Sequence, residues 1–246
     1  MSQNAVISRL QAILGDDKVK TDADSLETFG KDWTKIYAPK PLAITFPRTT
    51  EQVAEIVKAA NELEFAIVPS GGRTGLSAGA VAANGEVVVA LDYMNAISDF
   101  NLTDRTVRCG AGVITEQLQN FAEEQGLYYP VDFASAGSSQ IGGNIGTNAG
   151  GIKVIKYGMT RDWVAGLKVV TGKGDILELN KDLVKNNTGY DLRQLFIGGE
   201  GTLGIVTEAT MRLTRTPKNL NVLVLGVPEL EAIMNVLHAY QGKMDL

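Results

Sequence analysis

Residues 3 to 14 place Val6, Ile7, Leu10, Ile13 and Leu14 at helical spacing, so the chain is expected to begin with an amphipathic helix. The stretch from 21 to 41 is mixed and polar around Trp33 and Tyr37 and reads as a crossing of the surface. Leu42 to Phe46 predicts a strand. Thr49 and Gln52 then form a capping-box pattern ahead of Val53, Ile56, Val57, Ala60 and Leu63, whose spacing predicts a helix. Phe65 to Val68 predicts the next strand, which completes a β–α–β unit.

Further strands are expected at Val87 to Leu91 and Thr106 to Cys109, followed by a helix marked by Ile114, Leu118, Phe121 and Ala122. Leu167 to Thr171 and Ile176 to Leu179 predict a hairpin turning around Gly172-Lys173-Gly174, with a short element near Leu192 to Phe196. Ile205, Thr207, Ala209, Met211 and Leu213 alternate with their neighbours, as in a half-buried strand. Parallel-type units first and antiparallel pairs later imply an α+β domain of two lobes. Beyond Pro217 the pattern restarts, with a strand at Val222 to Val227 and a helix from Glu229 to Tyr240. A lone strand and helix cannot bury both faces of a new layer, so they are expected to open a further, incomplete domain.

Two loops interrupt this pattern. Gly137 to Gly151 holds six glycines in fifteen residues, and Ser70 to Gly79 follows directly on a predicted strand. Glycine loses more backbone freedom on folding than any other residue, so such density serves close approach of backbone N–H groups to something. Two such loops suggest a large, polyanionic, partly planar ligand. Ser70 to Gly79 could wrap a pyrophosphate, with Arg73 either a phosphate partner or a surface charge. Asn144, Thr147 and Asn148 either bond a flat ring or cap local backbone. Glu200, set among Gly198, Gly199 and Gly201, reads as a contact site, and Arg161-Asp162 fits an ion pair as well as a ligand contact.

Composition narrows the chemistry. The 246 residues are 44% hydrophobic and 21% charged, an ordinary globular balance, and the net charge of −5 argues against a nucleic-acid surface. No apolar run reaches membrane-spanning length, and the first residues lack a basic n-region. The single Cys109 excludes an intrachain disulfide, so a cytoplasmic protein, or one peripheral to the inner face of a membrane, is the expectation. The single His238, on the predicted C-terminal helix, leaves no His/Cys cluster for zinc and no placed Ser-His-Asp set. Hard chemistry would belong to a cofactor. Neither loop ends in Gly-Lys-Ser/Thr, so neither is a P-loop. Gly110-Ala-Gly112 starts a dinucleotide fingerprint but has Thr115 at the third glycine.

Five blocks in order carry a resemblance: Pro69-Ser-Gly-Gly-Arg-Thr-Gly, Ile141-Gly-Gly-Asn-Ile-Gly-Thr-Asn-Ala-Gly-Gly, Tyr157-Gly-Met-Thr-Arg-Asp, Thr188-Gly-Tyr-Asp-Leu and Phe196-Ile-Gly-Gly-Glu-Gly-Thr-Leu-Gly-Ile-Val. Together they resemble the FAD-binding domain of the vanillyl-alcohol oxidase/p-cresol methylhydroxylase flavoprotein family. Within it they are most similar to the D-2-hydroxyacid dehydrogenase branch, which includes enzymes of D-2-hydroxyglutarate and D-lactate and the FAD subunits of glycolate oxidase. The resemblance implies an N-terminal helical segment (1–37), a two-lobed FAD domain (38–217, lobes near 38–95 and 96–217) and the first strand and helix of a substrate or cap domain (218–246).

It further implies that Pro69, Ser70, Gly71, Gly72, Arg73, Thr74, Gly75 and Leu76 hold the pyrophosphate. Gly137, Ser138, Gly142, Gly143, Asn144, Thr147, Asn148 and Gly151 would line the flavin, and Glu200, Gly204 and Ile205 the adenine or ribose side. Covalent members attach FAD through His or Cys; Arg73-Thr74 stands in the first loop here and Cys109 lies in a strand, so the FAD is expected to be dissociable. The implied reaction is oxidation of a small D-2-hydroxy acid with hydride transfer to flavin N5, then electron transfer to a quinone or an electron-transfer flavoprotein. No catalytic residue and no metal site is assigned, because the cap that would carry them is missing from the motifs. A fragment without its cap is expected to turn over poorly and could self-associate. A non-catalytic flavin-binding subunit, or an alcohol or sugar oxidase of the same fold, is the alternative.

Overall fold

A computed structural model describes residues 2–180, 183, 185–218 and 220–243 of the chain. Its first lobe comprises α1 (Gln3–Leu14), β1 (Val19–Lys20), α2 (Ala23–Phe29), β2 (Ala43–Thr45), α3 (Thr50–Leu63), β3 (Ile67–Ser70) and β4 (Val87–Ala90). The sheet order is β1-β2-β4-β3, with β2 and β3 parallel to β4 and β1 antiparallel at the edge. The Val-Val-Val-Ala run of β4 is wholly buried, as a central parallel strand covered on both faces requires.

Thr49 caps α3 as its sequence predicts, its hydroxyl accepting the Gln52 N–H at 3.2 Å. The helix buries Val53, Ile56 and Val57, each of which contributes roughly 1.5–3 kcal/mol of transfer free energy. Helix α1 packs on α3 through Val6, Leu10 and Leu14, so this N-terminal helix contributes to the core of the lobe.

The second lobe runs through β5 (Ile97–Asn101), β6 (Thr106–Gly110), α4 (Thr115–Glu124), β7 (Leu127–Tyr128), α5 (Ile141–Gly146), α6 (Val154–Tyr157), β8 (Val164–Thr171), β9 (Ile176–Leu179), α7 (Arg193–Phe196), β10 (Gly204–Arg212) and β11 (Thr214–Arg215). Its main sheet, β5-β6-β10-β8-β9, is antiparallel throughout. One face carries the Leu118, Ile141, Ile145 and Met211 core. The other carries cross-strand ion pairs, Lys168 to Glu208 at 3.2 Å and Arg108 to Glu208 at 3.7 Å, the expected marks of a solvent face. The lobes share one core, in which Val53 and Val87 meet Ala111, Val170 and Ile205. A buried Thr50–Thr207 hydroxyl pair at 3.0 Å also crosses between them.

Several expectations are corrected. Residues 21 to 41 do not merely cross the surface: Asp22 caps α2 by accepting the Ser25 N–H at 2.9 Å. Strand β5 and helix α5 were not predicted, and β3 lies two residues beyond the expected Phe65 to Val68. Val222 to Val227 forms no strand; Val222 and Val224 are each 90% exposed, since a single segment without a pairing edge satisfies no ladder and buries no face. The final helix α8 (Leu230–Gln241) forms as predicted but buries no residue. Among the described residues no helix is long and apolar enough to cross a membrane.

Candidate functional site

The chain leaves the C-terminal end of β3 into the first glycine loop and crosses back over the second lobe through the second. A groove of about 550 Å³ opens between them, within the size range of small-molecule and cofactor sites. Pro69 to Leu76 line it on one side. Gly142, Gly143, Asn144 and Thr147 line another, and Glu200, Gly204 and Ile205 close the end. The remaining residues singled out from sequence, Gly137, Ser138, Asn148 and Gly151, do not line it. Gly151 serves packing, since a Cβ on it would stand 2.1 Å from the Asp132 carbonyl oxygen; Gly137 and Ser138 are exposed, although the Ser138 carbonyl oxygen lies 2.2 Å from where a Cβ on Gly72 would stand.

The first loop is a cradle of donors. Among the described residues, no backbone N–H from Gly71 to Leu76 donates to a protein acceptor. Arg73 at φ 59° and Ala78 at φ 64° adopt the left-handed region, which costs a residue with a Cβ about 1–2 kcal/mol. Successive unpaired N–H groups around a left-handed residue are the makings of an anion-binding nest.

Arg73 is engaged within the protein. Its guanidinium grips Asp92 in a bidentate pair (2.7 and 3.1 Å), donates to the Gly71 carbonyl at 2.7 Å and lies over the Phe29 ring. The nest therefore offers dipoles, with its nearest cation already neutralised.

The second segment is spent largely on itself. Asn144 donates to the Thr115 hydroxyl at 2.7 Å, and Thr115 in turn meets the Ser139 hydroxyl at 2.8 Å. Thr147 donates to the Gly143 carbonyl at 3.0 Å, and Asn148 accepts the Arg161 N–H at 3.0 Å. All three polar residues bond within the protein, and Asn144 and Thr147 also line the groove. Asp162 accepts the Met159 N–H at 2.8 Å, while Arg161 turns to Gln194. What this segment gives the groove is a smooth wall: a Cβ on Gly143 would meet nothing within 4 Å. Phe133 and Phe196 add apolar surface beside it.

Sequence reasoning missed Asp32, Phe133 and Leu91 as lining residues, and it placed Gln140 in the second glycine segment without giving it a role. Gln140 had a usable signal, a long polar side chain directly before Ile141 in a buried run. Asp32 had none.

Four buried side-chain polar atoms among the described residues lack a partner, and three belong to groove residues: Asp32 Oδ2, Ser70 Oγ and Gln140 Oε1. Each unsatisfied buried group costs about 1–3 kcal/mol, so this arrangement is complementary to a ligand that supplies donors and acceptors. Burial, with Glu208 adding to it, pushes the Cys109 thiol up to about 12, which makes it a poor nucleophile. Burial works to lower the Lys153 ammonium, but its bonds to the Tyr128 hydroxyl (2.6 Å) and Asp132 (2.9 Å) outweigh this and raise it. Among the described residues no His/Cys/Asp/Glu group is arranged to hold a metal ion.

This two-lobed α+β fold is of the p-cresol methylhydroxylase type. A solved p-cresol methylhydroxylase superposes with a TM-score of 0.75 at 24% identity, over 88% of this chain and 44% of that one. An alkyldihydroxyacetonephosphate synthase does so with a TM-score of 0.78 at 24% identity, over 89% of this chain and 42% of that one. Residues 41–180 match the family described as FAD binding domain, and the chain belongs to that family. A D-2-hydroxyglutarate dehydrogenase of Stutzerimonas stutzeri (strain A1501) is 70% identical over all 246 residues, which make up 53% of that protein. The chain thus spans about half the length of the curated relatives it matches.

The groove fits FAD. The nest of N–H groups suits a pyrophosphate that brings only acceptors, the glycine wall suits a flat ring, and the unpartnered side-chain atoms suit the polar groups between.

Proposed function

We propose that this chain is the cofactor-carrying part of an FAD-dependent D-2-hydroxyacid dehydrogenase acting on D-2-hydroxyglutarate, with the FAD held non-covalently. The observation that carries the reading is the pairing of an unsatisfied N–H nest at Gly71–Leu76 with a side-chain-free wall at Gly143, in a chain 70% identical to a dehydrogenase of that name. FAD, when bound, supplies the two-electron acceptor for the hydrogen on the carbon bearing the substrate hydroxyl. The protein holds the pyrophosphate through the N–H groups of the first loop. Gly142 and Gly143 let the second segment lie flat against a ring, and Phe133 and Phe196 keep water from that side. Ser70 and Gln140 offer their unpartnered atoms as orienting contacts. Buried and protonated, Cys109 is unsuited to a covalent flavin link, which supports dissociable binding.

Substrate recognition is assigned to the part of the longer relatives that this chain does not span. Residues 218–246 would begin that part, and the exposed Leu230, Ile233 and Met234 of α8 would pack against it or, in its absence, against another copy. We also propose a cytoplasmic site of action, with a quinone or an electron-transfer flavoprotein as electron acceptor. The test begins with the visible spectrum of the purified chain and chromatography of what heat releases. Flavin bands with free FAD in the supernatant are expected; a colourless protein that also ignores added FAD overturns the cofactor assignment. Anaerobic addition of D-2-hydroxyglutarate should bleach the flavin slowly, if at all. Rapid bleaching by residues 1–246 would refute the division of labour.

A further inference from the structure

Two of the unpartnered groove atoms, on Ser70 and Gln140, belong to the glycine loops themselves. The third does not. Asp32 comes from the connection between α2 and β2, outside the residues 41–180 that match the FAD-binding family. It is only 7% exposed. Its Oδ1 accepts the Thr34 N–H at 2.9 Å, whereas its Oδ2 is buried without a partner. The neighbouring Trp33 N–H donates to the Gly75 carbonyl at 3.0 Å, which ties this connection to the first loop. A Cβ on Gly75 would lie 3.5 Å from Asp32 Oδ2, so the free oxygen stands directly against the loop. The cation of the first loop, Arg73, is already held by both oxygens of Asp92.

A buried carboxylate without a counter-ion or a second donor is costly, and an ionised carboxylate can only accept. The free oxygen therefore calls for a ligand donor. Pyrophosphate brings none and shares its sign of charge. In FAD the groups that flank the pyrophosphate on either side and do donate are sugar hydroxyls, while the ring N–H groups lie at the far ends of the molecule. We propose that Asp32 is the acceptor for a sugar hydroxyl next to the pyrophosphate of the bound dinucleotide, from either the ribityl chain or the adenosine ribose. This rests on the FAD reading above. It makes Asp32 an orienting residue: a negative group beside an anion cradle is tolerated only where the ligand turns a hydroxyl toward it, and this sets how far the dinucleotide slides along the groove.

The experiment is titration of the apo chain, residues 1–246, with FAD followed by flavin fluorescence, first for the unaltered protein and then for Asp32→Asn. If the unaltered chain does not bind FAD, the cofactor reading itself falls. If it binds, Asp32→Asn should weaken FAD roughly tenfold or more, the loss typical of a hydrogen bond to a charged group. Unchanged or tighter binding would overturn the proposal, because a carboxylate that merely repels phosphate is improved by neutralisation. Calorimetric titrations with FMN, ADP-ribose and inorganic pyrophosphate locate the hydroxyl. A loss confined to FMN assigns the ribityl chain, and a loss confined to ADP-ribose assigns the ribose. An equal loss for all three, pyrophosphate included, means a distorted loop and overturns the proposal. Should Asp32→Asn fail to fold by circular dichroism, Asp32→Ser keeps an oxygen for the Thr34 N–H and carries the same expectation.

Discussion

Between Gly71 and Leu76 no backbone N–H meets a protein acceptor among the described residues, whereas Ile141, Gly142, Asn144, Thr147, Asn148 and Ala149 all donate to backbone carbonyls. The two segments read alike as sequence. In the first, backbone donors are left open, and residues with a Cβ at 73 and 78 are held at positive φ. In the second, the backbone is satisfied by a short helix, and its glycines let other chain segments approach. Gly142 lies where a Cβ would be 2.6 Å from that of Ala111. Glycine density announces that something comes close to the backbone; whether that is a ligand or the protein itself depends on where the N–H groups are spent.

The largest expected effect breaks the packed side of this contrast. Gly151→Ala and Gly72→Ala each force a Cβ to within 2.1 and 2.2 Å of a backbone carbonyl oxygen, so each should cost about 3 kcal/mol. Thermal melts of the apo chain should show a fall of roughly 6–12 °C. An unchanged melt for Gly72→Ala would mean that the two segments do not touch.

Next comes the buried hydrogen-bond cluster of the second segment. Asn144→Ala withdraws the donor to Thr115 and should cost about 2 kcal/mol in urea unfolding. The pair Asn144→Ala with Thr115→Val should cost less than the sum of the single changes, since the bond between them is then lost only once. Strict additivity would show that these residues act separately.

Gly143→Ala sharpens the comparison from the other side. Its Cβ meets open space, and alanine favours a helix over glycine by about 1 kcal/mol. The apo protein should be as stable or slightly more so, while FAD, if it lies along this wall, should bind at least roughly tenfold more weakly. Unaltered affinity would place the ring elsewhere.

The smallest effect concerns Cys109, whose thiol is pushed up to about 12 by burial and then by Glu208. A raised acid pKa means that the folded state disfavours the thiolate, so this contribution to stability is present at neutral pH. It fades as pH rises above the unfolded value of 9.0. At pH 8 iodoacetamide should label Cys109 slowly in the native protein and fully in urea. Fast native labelling would put a reactive thiol where the structure has core.

Much of the fold was legible because local physics carries it. The 3.6-residue repeat of Val53, Ile56, Val57 and Ala60 with Thr49 before it specifies α3, and the apolar run from Ile205 to Leu213 marks β10, although register shifts at Val206/Glu208 and Thr210/Met211 break its alternation and put Ile205 in a different core cluster from Met211. The same reasoning failed at Val222 to Val227, where apolar residues suit a strand but pair with no other described segment, and at β5, whose Ile97–Asn101 run is held by pairing with β6.

From sequence alone came the two glycine loops, their order and the absence of conventional acid–base equipment, because these depend on residue type and spacing. Tertiary structure decided that Arg73 binds Asp92, that Asn144 reaches the Thr115 hydroxyl, and that Asp32 from a distant connection reaches the groove. Those outcomes depend on which donors and acceptors meet across tens of residues, and no local pattern along the chain encodes such a meeting.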